Sequence, residues 1–469
     1  MAVSGAGKEG WSSRSAFILA AIGSAVGLGN LWRFPSEAGT NGGGAFVIFY
    51  IVCVVLIGLP VLLSETLIGR HGQTSAPGSV RKVARESGAS ERWAILAIVG
   101  AIAAFLIISF YSVLGGWVLF YVGQFAGDLA GSLGNITSGA FQDRSAEDVQ
   151  ALLPALFADN TTLLTLHAVF MGITVFVVAR GVSGGIELVA TWLMPAFFFL
   201  FLGITIYGAF TGDFAEAMAF LFHFEPSKLT GSVMLSALGQ AFFSLSLGSA
   251  LMITYGAYAD RSVNLATTSA IIAAADTSVA IIAGLAIFPI VFAAGLAVDG
   301  GPALMFQTLP TSFMAMPAGS LIGLLFFVMV FFAALTSSVA LLEAPTVWIM
   351  DKFDSARLPT ALVVGGLAFV IGIAAALSFN ILADFQPLGF IPLFEGQGIF
   401  DSLDTLTGKI FLPLAALLTS VFVGWVADRK LIDAENGISG GLHLTYRFLI
   451  AWLCPIALTA ILIFGIFGS

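Results

Sequence analysis

Ser24-Ala25-Val26-Gly27-Leu28-Gly29-Asn30, with Arg33 just beyond, lies inside the first apolar segment of the chain. Two glycines two residues apart weaken a helix by about 1 kcal/mol each relative to alanine. In lipid, a broken turn is tolerated only where it is buried in protein or lines a cavity. The stretch has two readings: a small-residue surface for close helix packing, or an interruption that builds a site. A second interruption further along decides between them.

Composition sets the frame. The chain has 469 residues, 58% hydrophobic and 10% charged, with mean hydropathy +1.01. Soluble domains carry about 25% charged residues. A bilayer span needs about 20 apolar residues. Eleven such segments are expected, near 13–37, 44–70, 93–124, 161–180, 187–211, 232–258, 264–296, 319–350, 358–378, 402–427 and 441–467. The fold class is an all-α polytopic membrane protein, one transmembrane unit over 1–469.

With the N-terminus inside, the inner side holds Lys8, Arg14, Arg70, Arg81, Lys82, Arg85, Arg92, Arg180, Arg261, Lys352, Arg357, Arg429, Lys430 and Arg447. The outer side keeps Arg33, Arg144, Lys228 and Lys409. This asymmetry satisfies the positive-inside rule, and an odd number of spans then puts the C-terminus outside. The first apolar run is interrupted and lacks a small-residue cleavage site, so no cleavable signal is expected. Cys53 and Cys454 both lie in apolar spans, which argues against a disulfide scaffold. The short tails suggest a prokaryotic inner membrane, where the Asn135 and Asn160 triplets carry no glycan.

The second interruption is Gln240-Ala241-Phe242-Phe243-Ser244-Leu245-Ser246-Leu247-Gly248-Ser249-Ala250, five spans after the first. Two interrupted helices at matching places in two halves point to a transporter site. Repeat one then covers about 13–211 and repeat two about 232–427, leaving about 441–467 as an extra helix. Glu65 and Asp276 are acids within spans, so each must face protein, water or a compensating cation. Glu65 reads equally as polar glue or as a ligand. Tyr111 in span 3 is a packing residue unless a site surrounds it. Gly185 and Pro195 in span 5 give either a kink or a stretch that unwinds to admit water.

Sodium is a hard cation that takes carbonyl, hydroxyl and carboxylate oxygens. Unwound backbone supplies freed carbonyls, while the N–H ends of half-helices face an anionic group. A carboxylate near Leu28 and Gly29 meets such N–H groups. An amine prefers the carbonyls and hydroxyls around Ala25, Phe243, Ser244 and Ser246. The pattern suits a small zwitterion better than a pure cation or a sugar.

Gly27-Leu28-Gly29-Asn30-Leu31-Trp32-Arg33-Phe34-Pro35, Asn41-Gly42-Gly43-Gly44-Ala45-Phe46, Gln240 to Gly248, and Ala333 to Ser338 together resemble the neurotransmitter:sodium symporters, over essentially the whole chain. The resemblance implies two inverted five-helix repeats with discontinuous helices 1 and 6, and two sodium sites. One sodium site would use the Ala25 carbonyl, Asn30, Ser244 and Asp276, completed by the substrate carboxylate. The second would use the carbonyls of Gly23, Val26 and Ala333 with the hydroxyls of Thr336 and Ser337. Tyr111 and the Leu28 and Gly29 amides would hold the substrate, with Ser24 and Ala25 alongside. Phe243 and Tyr111 would close over it. Ile107, Leu114, Ser246, Ser249, Ser337 and Leu341 would shape the side-chain pocket. Arg33 and Asp404 would form an outer gate, directly or through water. Lys8 and Asp351, with Trp11 packed nearby, would form the inner one. Gly185 to Pro195 looks like the family's unwinding motif in span 5.

Three departures shape the expected function. Gly27 stands where monoamine carriers place an acid, which favours amino-acid-type substrates. Asp276 stands where chloride-dependent members have Asn, while Tyr50, Gln240 and Ser244 otherwise match the chloride pocket. A fixed carboxylate there implies transport without a chloride requirement. Ser249 replaces a larger residue, leaving side-chain preference open. Eleven spans rather than twelve removes a helix outside the repeats. The expected partners are a small amino-acid-like substrate and membrane lipid, with no nucleic acid and no obligate protein partner.

Rival readings are weaker. An intramembrane enzyme lacks a nucleophile or metal constellation: none of His71, His167, His223 and His443 is paired with a buried acid or cysteine at ligand spacing. Gly181-Val182-Ser183-Gly184-Gly185 matches G-x-S-x-G formally but lacks the strand–turn–helix setting. A proton-coupled carrier using Asp276 or Glu65, and a sodium-linked sensor or channel of the same fold, remain the alternatives.

Overall fold

In the computed structural model, the structure describes residues 9–467 apart from 133, 297, 299, 300 and 302. Among the described residues, nine helices are long and apolar enough to cross a membrane: Gly44–Gly72, Glu91–Gly131, Asn160–Ala179, Val182–Thr211, Leu265–Ala293, Gly319–Phe353, Arg357–Leu377, Ile399–Val426 and Gly441–Phe467. A tenth crossing is the pair Arg14–Ala25 and Gly29–Thr40, bent by 51°. Gly231–Ser244 and Leu251–Ala257 make the eleventh, broken in the middle. Numbered in chain order, these are spans 1 to 11, with breaks in spans 1 and 6.

Their ends follow local chemistry. Span 1 starts at Ser13, whose hydroxyl accepts the Ala16 N–H at 3.1 Å. Thr230 and Asn264 cap spans 6 and 7 in the same way. Spans 3 and 8 pack along each other at the centre. Span 8 has 72% of its most apolar stretch buried, against 22% for span 11, so span 8 is core and span 11 is periphery. Between spans 3 and 4 lie the short helices Ala146–Gln150 and Leu152–Ala158.

The breaks are held by polar groups, as buried backbone requires. In span 1 the Gly27 N–H donates to Asn30 Oδ1 at 3.1 Å and the Leu28 N–H to Tyr111 Oη at 3.3 Å. In span 6 the chain turns through positive φ at Ser246 (53°), Gly248 (76°) and Ala250 (61°). The Gly248 N–H donates to Glu65 Oε1 at 2.8 Å. Of the two readings of Glu65, this geometry realises the structural one: a span 2 carboxylate holding open the turn in span 6.

Span 5 is wound throughout: a π-helical turn at Val182–Ile186 runs directly into Glu187–Thr211, with Pro195 inside. The Gly185 N–H reaches Gly181 O at 3.1 Å. Proline removes one N–H donor, and the remaining ladder suffices to keep the helix closed.

Candidate functional site

The two breaks face each other across a buried polar cluster. Asn30 Nδ2 donates to Asp276 Oδ1 at 2.7 Å, to Asp276 O at 3.1 Å and to Ser244 Oγ at 2.9 Å. Ser244 Oγ donates to Asp276 Oδ2 at 2.6 Å, and Tyr50 Oη–H reaches Ser244 Oγ at 3.3 Å. Asp276 is fully buried and has no cationic side chain within ion-pair distance among the described residues. A carboxylate placed so in a membrane protein asks for a compensating charge. Gln240 Nε2 donates to Gly29 O at 3.0 Å, and its Oε1 is left unpartnered. Of the residues matched to a chloride pocket, Tyr50, Ser244 and Asp276 therefore converge, with a carboxylate already among them, while Gln240 is bonded to the Gly29 carbonyl.

A second oxygen cluster joins span 1 to span 8. Ser337 Oγ donates to Val26 O at 3.1 Å and to Gly23 O at 3.3 Å. Thr336 Oγ1 lies 3.1 Å from Ala333 O. The break frees the two span 1 carbonyls, and Ser337 brings its hydroxyl to them from a core helix, while the Thr336 hydroxyl is bonded within that helix. All of these donors are neutral oxygens, a set that suits a hard monovalent cation.

Between the clusters lies a small chamber. Ser24, Ala25, Gly27, Leu28 and Gly29 form the span 1 wall. Tyr111 and Ile107 face it from span 3, Phe243, Ser246 and Ser249 from span 6, and Ser337 and Leu341 from span 8. A Cβ at Gly27 would lie 2.6 Å from Ser337 Oγ and 3.0 Å from Tyr111 Oη, so even alanine is crowded there. Two residues depart from expectation. Ser244 is absent from the chamber wall because its hydroxyl is engaged with Asp276 and Asn30. Leu114 is buried but is likewise not part of the lining. Leu412 of span 10, missed in the sequence, lines the chamber. A leucine in an apolar span carries no signal that would single it out.

Phe243 and Leu412 also line a larger groove on the side away from the chain start. They form the partition between groove and chamber. Arg33 caps it, its guanidinium 4.2 Å from the centre of the Phe243 ring. Its ion pair is with Glu37 at 3.9 Å, and among the described residues it forms no direct pair with Asp404, so the direct form of the expected gate is not the one seen here. Glu37 lies one turn along the same helix and is reached without moving another span.

On the opposite side, the first described residues close the path. Trp11 Nε1–H donates to Tyr255 O at 3.0 Å, and its ring meets Phe17, Tyr255 and Tyr258. Glu9 pairs with Arg357, which is also forked onto Glu343 at 2.7 and 3.1 Å. Tyr258 Oη–H donates to Glu343 Oε1 at 2.7 Å. Lys8 lies outside the described residues. Asp351 accepts from Ser75 and Thr74. The Glu9–Arg357–Glu343 clamp was not foreseen; its signal was two further charges, Glu343 and Arg357, at the ends of spans 8 and 9.

Comparison with known proteins agrees with this architecture. The model of the sodium:neurotransmitter symporter family matches residues 8–135 and 137–468. An uncharacterised sodium-dependent transporter, YhdH of Bacillus subtilis, is 36% identical over 452 residues, covering 96% of this chain and 95% of that one. The sodium-dependent nutrient amino acid transporter 1 of Drosophila grimshawi is 26% identical, over 98% of this chain and 76% of that one. Among solved structures, MhsT in complex with L-phenylalanine superimposes with a TM-score of 0.87 at 38% identity, covering 98% of this chain and all of that one.

Proposed function

The chain belongs to the sodium:neurotransmitter symporter family, and from that premise we propose that it is a sodium-coupled symporter of a neutral amino acid working by alternating access. The observation that carries the substrate class is Gly27. Its missing side chain leaves the chamber free of any acid beside Tyr111 and Ser337, so no side chain there competes for an amine. A substrate carboxylate fits against the Leu28 and Gly29 amides and Tyr111. Its amine fits among the Ser24 and Ala25 carbonyls and Ser246. The apolar end, Ile107, Leu341 and Leu412, receives a hydrophobic side chain. The L-phenylalanine in the similar MhsT structure is in keeping with that class.

One sodium ion sits by Asp276, Asn30, Ser244 and the Ala25 carbonyl, sharing the substrate carboxylate. The second takes Gly23, Val26, Ala333, Thr336 and Ser337. Because one carboxylate touches both substrate and ion sites, sodium and substrate affinities are reciprocally coupled. The second site has neutral ligands only, which suits the ion released first. Asp276 supplies the negative charge that makes chloride unnecessary. The N-terminus faces the cytoplasm of a prokaryotic inner membrane.

Uptake of labelled amino acids into proteoliposomes tests the reading. A sodium gradient drives saturable, concentrative uptake, and Thr336→Ala with Ser337→Ala abolishes it. Unchanged uptake in that double variant refutes the second site. Uptake driven by a pH gradient without sodium would favour the proton-coupled alternative, and sodium binding without accumulation a sensor or channel.

A further inference from the structure

A groove of about 850 Å³ opens between the end of span 10 and the start of span 11, on the side where the chain begins. Its rim carries Trp425, Trp452, Arg429 and Arg447. The two indoles meet edge to face with centres 4.5 Å apart, and each is more than half exposed. Trp425 Nε1–H donates to Ala451 O at 2.7 Å, which fixes its ring against span 11. Tryptophans at a membrane boundary sit at headgroup depth, so the groove opens where lipid phosphates lie.

The charge in the groove is unbalanced. Arg429 is exposed and forms no ion pair among the described residues. Arg447 reaches Asp433 at 3.6 Å, but Asp433 is already held by His443 at 2.6 Å. Glu435, the next acid on the helix Arg429–Asn436, turns away to Arg70 and His71. From the groove, the exposed side chains of Phe448, Trp452 and Ile456 run along span 11 at four-residue spacing into the apolar layer. We propose that this groove binds an anionic phospholipid, its phosphodiester between Arg429 and Arg447 and an acyl chain along Phe448, Trp452 and Ile456. The apolar track continuous with the arginines is what selects a lipid over a free phosphate. The lipid bridges span 10 to the peripheral span 11.

Native mass spectrometry of the purified full-length protein tests this, with phosphatidylglycerol and phosphatidylcholine of identical chains offered together. Phosphatidylglycerol is retained preferentially, and each arginine contributes about fivefold. Arg429→Gln breaks no hydrogen bond or ion pair among the described residues, and an unchanged unfolding temperature separates its loss of retention from misfolding. Arg429→Gln with Arg447→Gln removes the preference, while Arg92→Gln leaves it intact. Equal retention of the two lipids, or a preference unchanged in the double variant, overturns the proposal. Displacement by inorganic phosphate also overturns it, in favour of a free-phosphate site.

Discussion

Asp276 concentrates the chemistry of the site in one side chain. It receives hydrogen bonds from Asn30 and Ser244 and faces Tyr50 through Ser244. Asp276→Asn is nearly isosteric and removes only the charge. Its expected outcome is loss of sodium-driven uptake in chloride-free medium and recovery when chloride is restored, measured side by side in the two buffers. Equal activity in both would refute the role given to the carboxylate. Asp276 was legible in the sequence because an acid in an apolar span is conspicuous. The partner of Arg33 was not, since Glu37 and Asp404 are both plausible acids and side-chain reach chooses between them. Leu412 was invisible for the opposite reason: it differs from its apolar neighbours only by position.

Among the helices, the interruptions in spans 1 and 6 could be read from clustered glycine and serine, and the structure puts both where expected. The state of span 5 could not, because a proline permits winding and unwinding alike. Spans 2 and 6 approach so closely that a Cβ at Gly256 would lie 2.4 Å from Thr66 O, and one at Gly69 1.9 Å from Ile253 O. Gly256→Leu should therefore cost 1–3 kcal/mol or more through overpacking, seen as a lower unfolding temperature in detergent. The short helix Arg429–Asn436 is tied to span 2 through Glu435, whose hydrogen bond with His71 and neighbouring Arg70 hold its carboxyl below the ordinary 4.5. A depressed carboxyl stabilises above its unfolded pKa and loses that contribution as pH falls through the folded value. Acidification below the ordinary 4.5 should loosen this helix, and Glu435→Gln should flatten the response, as followed by hydrogen exchange of residues 429–436.

For the molecule as a whole, the clamp of Glu9, Arg357 and Glu343 fastens the chain start to spans 8 and 9. Glu343 is wholly buried and Glu9 is largely exposed, so the two pairs are unequal. Glu9→Gln loosens the closure with at most about 1 kcal/mol lost. Arg357→Gln strands the Glu343 charge and costs about 3 kcal/mol or more. A cysteine introduced at Ala257, beside the vestibule on that side, should react faster with a water-soluble maleimide in the Glu9→Gln background. Equal rates would show that Glu9 does not restrain opening. The hydrogen bond from the Leu28 N–H to Tyr111 Oη has a consequence for turnover. On the proposed reading, an arriving carboxylate would take the Leu28 N–H over from the Tyr111 hydroxyl, and an arriving sodium would turn the Asn30 amide away from Asp276. Loading is thus an exchange of partners rather than an addition, and each exchanged bond nets only about 1 kcal/mol. A carrier arranged so grips its cargo weakly for the number of contacts it makes, and it can let go on the other side.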